Sequence, residues 1–149
     1  MLKMELLDYR ISRLDMLNKL NKSEEDGEVE ISDKMDFSVD FKFKNNLAVA
    51  VLTECLEMEA SNKFYIELTL EGFFHVEGIT SDKLKKEAHV RCYDGLFPYA
   101  DQLIRMLSLS SGILGLALKK RALDLKNVHI GKKPRDAKDG KVIDFQPEK

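Results

Sequence analysis

The sequence predicts an α+β domain: a four-stranded antiparallel meander sheet followed by two helices packed on one face of that sheet. Two observations predict this class. Apolar residues alternate with polar ones through the first half of the chain, and they recur at helical spacing over residues 81–112. A length of 149 residues with 34% charged residues is typical of one folded domain of ordinary size.

The longest alternating stretch covers residues 29–44, where polar side chains occupy even positions and only Asp33 interrupts the pattern. Such alternation is typical of a strand with one buried and one solvated face. We expect a bend near Asp33, because the stretch is too long for one ordinary strand. Asn45 and Asn46 then predict a tight hairpin, because asparagine tolerates positive φ. The apolar residues at odd positions are Val29, Ile31, Met35, Phe37, Val39, Phe41 and Phe43.

Three further strands complete the predicted sheet. One runs over residues 47–59, with a bulge near Thr53–Cys55 where the apolar residues change parity. Another runs over residues 63–78, where apolar and polar residues alternate again. A shorter strand around residues 9–14 comes first in the chain. We therefore expect an antiparallel meander of four strands.

After Gly78 the spacing of apolar residues changes from every second position to the three- or four-residue spacing of a helix. Ser81 is a candidate N-cap for a first helix, which Gly95 interrupts. Pro98 is suited to the first turn of a second helix, which Gly112 ends. The segment 113–118 is almost entirely apolar, which fits either a buried turn or an exposed apolar loop.

Composition argues against several classes of protein. No apolar run reaches the ~18–20 residues of a membrane span, and the N-terminus lacks the apolar stretch of an export signal. Cys55 and Cys92 cannot build a disulfide framework and are typical of a reducing cytoplasm, where we expect the protein to act. A net charge of −2 argues against a dedicated nucleic-acid binder.

Charge is unevenly distributed: residues 1–78 carry a net charge of −8 and residues 119–149 a net charge of +5. We expect one domain over residues 1–125 and a basic, loosely packed tail over residues 126–149. The asymmetry fits a polar partner, a contact between opposite charges within or between subunits, or simply a solvated surface. Nucleic-acid binding through residues 119–141 is a weak interpretation, because that stretch has few aromatic residues.

No catalytic motif is visible. The three histidines, His75, His89 and His129, belong to no known metal or nucleophile motif. His89 and Cys92 share a helical spacing, but two ligands do not make a zinc site. We therefore expect no enzymatic activity, no metal and no cofactor.

One short segment, Leu96–Ala100, reads Leu-Phe-Pro-Tyr-Ala. It resembles the segment that opens the second helix in the family of the protein-export chaperone SecB. Tyr9–Arg13 resembles its first strand, and Phe64–Glu67 followed by Gly72–Gly78 resembles its fourth. Gly112 falls where the second helix of the family ends. The resemblance covers about residues 9–125.

This resemblance implies a SecB-like fold and an ATP-independent chaperone that holds unfolded polypeptides in an extended apolar groove. Apolar surface flanked by charge suits that task, because it binds unfolded chains without reading their sequence. The same residues could instead be simple core, and a groove could use them for both purposes. The residues that would line the groove are Val39, Phe41, Phe43, Phe97, Leu114, Leu116 and Leu118.

The resemblance also implies partners. The clients would be preproteins or, as in some relatives, an antitoxin of a toxin–antitoxin system, and the protein would form a homotetramer built as a dimer of dimers. Tyr65 and Glu67 match positions on the outer face of the sheet that receive the translocation ATPase SecA. We expect neither nucleic-acid binding nor membrane insertion. The alternative function is that of a small-ligand-binding or enzymatic α+β domain with a pocket between helix and sheet.

Overall fold

The computed structural model describes residues 1–21, 30–58, 60–113 and 115–123. In these residues four strands are followed by a single long helix, which confirms the α+β class. A short 3-10 turn, Phe43–Asn45, joins the second and third strands. The strands are β1 (Lys3–Asn18), β2 (Ile31–Lys42), β3 (Leu47–Met58) and β4 (Phe64–Glu77), and the helix is α1 (Asp82–Ser111).

The four strands form one antiparallel sheet in the order β1-β4-β3-β2. β2, β3 and β4 form a meander, but β1 pairs with β4 from Lys3↔Glu77 to Asn18↔Phe64. The predicted four-strand meander is therefore wrong at its first strand. Alternation identifies which face of a strand is buried, but it does not identify the strand's neighbour.

The predicted bulge in β3 is also wrong. β3 keeps an unbroken register with β4 from Leu47↔His75 to Glu57↔Tyr65. Its buried side chains are the even-numbered ones, including Ala48 and Ala50, whereas Val49 and Val51 are only half-buried. In the sequence the strongly apolar residues of β3 change from odd to even positions because Val49 and Val51, on the half-buried face, are more hydrophobic than the buried Ala48 and Ala50. The irregularities of the sheet lie in β1 instead, between Leu6 and Asp8 and between Ile11 and Arg13.

The helix α1 covers one face of the sheet, called the inner face here. The inner-face side chains of β3 and β4 alternate strictly with the half-buried side chains of the opposite, outer face. Burying apolar area of this kind is the main favourable term in folding. The helical residues that complete the core are Ala88, Cys92, Tyr93, Leu96, Phe97, Ala100 and Ile104.

One continuous helix replaces the two that the sequence predicts, because α1 passes through both Gly95 and Pro98. A Cβ at position 95 would lie 3.3 Å from the Phe74 ring, so glycine there allows a close approach of helix and sheet. Leu96 and Ala100 continue the buried stripe past Gly95. Pro98 lies on the exposed side, where loss of its backbone donor is tolerated more easily.

The predicted ends of the helical region are confirmed. The Ser81 hydroxyl accepts a hydrogen bond from the Leu84 backbone N–H at 3.2 Å, which is the geometry of an N-cap. Gly112 ends the helix in the left-handed region, with φ of 83°. The chain then turns back along the helix. The predicted boundary at residue 125 and the predicted tail lie outside the described residues.

Candidate functional site

The inner face of β2 changes from core to surface along its length. Met35 and Phe37 are fully buried, with 1% and 0% exposure. Val39 and Phe41 are half-buried, and Phe43, in the turn after the strand, is 54% exposed. Three of the predicted groove residues thus form a continuous, increasingly exposed apolar strip. We call this strip of Val39, Phe41 and Phe43 the β2 groove, after the groove that the resemblance predicts.

A lysine from the helix covers the exposed end of the β2 groove. The Phe41 and Phe43 rings stack, with centroids 5.7 Å apart and planes 7° apart. The Lys85 Nζ lies 5.6 Å from the Phe41 centroid and 5.4 Å from the Phe43 centroid. Since Ala88 and His89 follow it on the sheet-facing stripe of α1, Lys85 lies where that stripe emerges from the core. An ammonium over two rings is a cation–π arrangement.

The other predicted wall of the groove is largely core. Phe97 and Leu118 are each 7% exposed, and Phe97 packs with its ring centroid 5.7 Å from that of Tyr93. Leu116 is half-buried, and Leu114 lies outside the described residues. The structure therefore brings the β2 residues together as a surface, whereas Phe97 and Leu118 are almost fully buried.

The returning chain, residues 116–121, is called the strap here. It lies on the β2 side of α1, where the Leu118 backbone N–H donates to Asp101 Oδ1 at 3.0 Å. The Lys119 backbone N–H donates to Asp33 Oδ2 at 3.0 Å, and the Lys120 Nζ lies 3.0 Å from Asp94 Oδ1. The strap is therefore held to both the helix and the start of β2 by polar contacts.

Arg121 completes the strap beside a buried polar group. Its backbone N–H donates to the Tyr93 hydroxyl at 2.9 Å, and its guanidinium donates to the Asp33 backbone carbonyl and carboxylate. Tyr93 is fully buried, and burial is the main reason that its pKa rises to about 12. Glu54 is also fully buried, and its charge contributes to the raised pKa of Tyr93.

His89 and Cys92 are both buried under the helix. Burial lowers the pKa of His89 to about 4 and raises the pKa of Cys92 to about 12. The His89 ring packs edge-on against Phe37, with centroids 5.1 Å apart. These two groups are thus neutral at pH 7. Among the described residues no group of three or more His, Cys, Asp or Glu side chains is placed to hold a metal ion.

A second apolar surface, which the sequence did not identify, lies along β1 and the adjoining side of α1. Tyr9, Ile11 and Leu14 face the helix side of the sheet but remain 37%, 44% and 45% exposed. The Tyr9 ring stacks on Tyr99 of α1 at 4.4 Å between centroids. On the same side of the helix, Met106 is 55% exposed. The alternation of Tyr9 and Ile11 was visible in the sequence, but exposure depends on how far α1 extends over the sheet.

Tyr65 and Glu67, the predicted partner-binding residues, lie half-buried on the outer face. The Tyr65 hydroxyl donates to Asp15 Oδ1 at 3.2 Å, and Asp15 pairs with Glu67 across the sheet. Cys55 lies beside Glu67 on the next strand, and burial followed by the Glu57 and Glu67 charges raises the pKa of its thiol. The paired residues Asp15 and Glu67 thus form an acidic row across the outer face.

Buried side chains lie between helix and sheet, where the alternative function would place a pocket. Phe37, Tyr93 and Leu96 are each 0% exposed there. Within the part of the chain that the structure describes, no helix is long and apolar enough to cross a membrane.

The family described as preprotein translocase subunit SecB matches residues 16–128 of this chain. No curated protein matches the chain. Among solved structures, a SecB-like chaperone of Mycobacterium tuberculosis in complex with an antitoxin peptide matches with a TM-score of 0.61 and 14% identity, over 80% of this chain and 88% of that one. A protein of unknown function from Streptococcus agalactiae matches with a TM-score of 0.49 and 12% identity, over 80% and 99%.

Proposed function

Because the chain belongs to the SecB family, we propose that it is an ATP-independent chaperone, which holds unfolded polypeptides in the β2 groove. The family match and the SecB-like fold support a chaperone function in general. The groove and the independence from ATP are our inference. We also propose that the protein works in the cytoplasm, for which the two free cysteines are suitable.

The graded exposure of β2 carries this proposal. Phe43 is 54% exposed and stacks on Phe41, so the apolar strip runs without a break from the core to the surface. Exposed aromatic surface beside a packed core offers an unfolded chain a place to bury its own apolar side chains. Such contacts do not depend on a particular sequence, as a holding chaperone requires.

The strap, which begins at half-buried Leu116, forms the far end of the same surface. The strap occupies the α1–β2 side from Asp101 to Tyr93, and the β2 groove continues beyond it toward the start of the helix. An extended client would therefore lie along Val39, Phe41 and Phe43, and its end would meet the strap. In this arrangement Phe97 and Leu118 support the groove from below.

The clients that we propose are preproteins or an antitoxin. The description of the family as a preprotein translocase subunit supports the first, and the antitoxin peptide bound to the mycobacterial SecB-like chaperone supports the second. A titration with an unfolded preprotein and with an antitoxin peptide would distinguish the two. A dedicated antitoxin chaperone would bind only the peptide.

We further propose that four copies assemble as a dimer of dimers. Tyr9, Ile11 and Leu14 present an apolar surface on β1, which is an edge strand among the described strands. An unpaired edge strand can pair with another chain, and a contiguous apolar patch beside it marks an interaction site. A second copy laid along β1 would bury this surface and leave the β2 groove, on the opposite edge of the sheet, open to clients.

The acidic row of the outer face is the place that we propose for SecA. Asp15 and Glu67 are neighbours in the sheet, and Tyr65 lies beside them with an apolar ring. Exposed carboxylates attract a basic partner segment and give salt-sensitive association.

The decisive test of the chaperone function is aggregation of an unfolded client. A chemically denatured protein is diluted into buffer with and without the chaperone, and light scattering is followed without ATP and then with ATP. We expect suppression of scattering that is the same in both conditions. No suppression at any ratio, or suppression only with ATP, would refute the proposed function.

A further inference from the structure

We propose that the β2 groove selects client segments in which an apolar or aromatic residue is flanked by acidic residues. This inference deepens the proposed function, on which it rests, by naming the class of client. It follows from the charges around the exposed aromatic pair, Phe41 and Phe43.

The two segments that frame the aromatic pair are rich in lysine. Residues 40–46 and 81–87 together contain five lysines and three acidic residues, a local net charge of +2 in a chain whose total is −2. The acidic residues are Asp40, Asp82 and Glu87, and the lysines are Lys42, Lys44, Lys83, Lys85 and Lys86.

Existing ion pairs leave most of this positive charge available. Asp40 is paired with Lys42 at 3.1 Å, and Glu87 lies 3.9 Å from Arg91. Within the described residues, lysines 44, 83, 85 and 86 take part in no ion pair. The nearby Glu77, at the end of β4, belongs to the outer face and contacts the His75 ring at 2.7 Å.

Lys85 links the charge to the apolar surface. The Lys85 ammonium already lies over both rings, at 5.6 Å and 5.4 Å from their centroids. A client carboxylate bound to it would therefore lie beside the aromatic pair. In an extended client, adjacent side chains point to opposite sides and every second one returns to the same side. Because Lys85 lies over the same rings, an apolar residue on Phe43 and a carboxylate at Lys85 suit positions i and i+2 of one strand-like segment.

The start of α1 adds to this preference. Its first backbone N–H groups carry the positive end of the helix dipole, and Lys85 lies just after the first turn. A basic client segment would instead meet like charge on both sides of the rings. Complementary charge of this kind mainly determines which partner is accepted.

The test uses three peptides with the same apolar centre, flanked by glutamate, by glutamine or by lysine, titrated against the full chain by fluorescence anisotropy. We expect the glutamate peptide to bind about tenfold more tightly than the lysine peptide at low salt, and this difference to collapse near 1 M salt, where the screening length is ~3 Å. Lys85→Met keeps the aliphatic stem, and it should remove most of the preference.

Lys34→Met is the matched control, because Lys34 is an exposed lysine at the far end of β2. It should leave the preference unchanged. Equal binding of all three peptides, or tighter binding of the lysine peptide, would overturn this inference while leaving the chaperone function intact. If none of the peptides binds, the proposed function fails and this inference fails with it.

Discussion

Arg121 and Asp33 join two parts of the chain that are far apart in sequence. The Arg121 guanidinium donates to both the backbone carbonyl and the carboxylate of Asp33, and the two side chains are only 10% and 17% exposed. This pair fixes the strap to the first residues of β2. The strap is also bonded to Asp94 and Asp101, one turn to either side of Phe97, and its own Leu118 is buried.

The first prediction concerns this pair. Asp33→Ala removes a carboxylate from the largely buried Arg121 guanidinium, and we expect the free energy of unfolding to fall by about 2–4 kcal/mol. Asp40→Ala, in the exposed Asp40–Lys42 pair, should change it by less than about 0.5 kcal/mol. Urea denaturation measures both. Similar small losses in the two variants would mean that the strap contributes little to stability.

The second prediction concerns pH. Folding holds the pKa of His89 at about 4, below its ordinary value of 6.5, because burial disfavours the charged ring. The unfolded chain binds the proton first, so stability is complete above pH 6.5 and is lost as pH falls toward 4, by about 3 kcal/mol in all. His89→Leu should flatten this slope.

His75→Gln is the control, because His75 is partly exposed beside Glu77. This variant should keep the pH slope of the parent protein. An unchanged slope in His89→Leu, measured by urea denaturation between pH 4 and 7, would show that His89 does not cause the acid sensitivity.

Much of the fold could be predicted from the sequence, and the failures have physical causes. The alternation of apolar and polar residues identified β2 and β4, because one face of each strand is buried and the other is more exposed to solvent. It failed to place β1 beside β4, because pairing depends on contacts distant in sequence. Gly95 looked like a helix break, although its role is to let α1 approach the Phe74 ring.

The candidate site was predictable only in part. Phe41 and Phe43 stood out because aromatic residues continue the alternation to the end of β2. Phe97 looked equivalent, but it is only 7% exposed, and the strap nearby is held by polar contacts that no local pattern reveals. The exposure of Ile11 likewise depends on where the helix lies over the sheet.

The third prediction concerns assembly. We expect the protein to behave as a particle of about four times 17.1 kDa in light scattering at micromolar concentration. Ile11→Lys places a charge in the apolar surface of β1 and should produce smaller particles, because an unpaired charge is costly to bury. Ser38→Lys, at an exposed position of β2 on the opposite edge of the sheet, should leave the mass unchanged. A monomeric parent protein would contradict the proposed tetramer.

The fourth prediction concerns the outer face. Glu67→Lys reverses the charge beside Asp15, and we expect binding of the basic C-terminal peptide of SecA to weaken about tenfold. Glu77→Lys, at the other end of the same strand, is the control and should bind as the parent does. Equal affinity of Glu67→Lys and parent, or no binding by either, would contradict the proposal that the acidic row binds SecA.

The most direct test of the central claim compares two exposed apolar side chains. Phe43 is 54% exposed in the β2 groove, and Leu109 is 67% exposed on the helix. Binding of an unfolded client is titrated against Phe43→Ser and Leu109→Ser, with stability checked by urea denaturation. We predict that Phe43→Ser weakens binding about five- to tenfold with little change in stability, and that Leu109→Ser binds like the parent protein. Unchanged binding by Phe43→Ser would contradict the claim that the β2 groove holds the client.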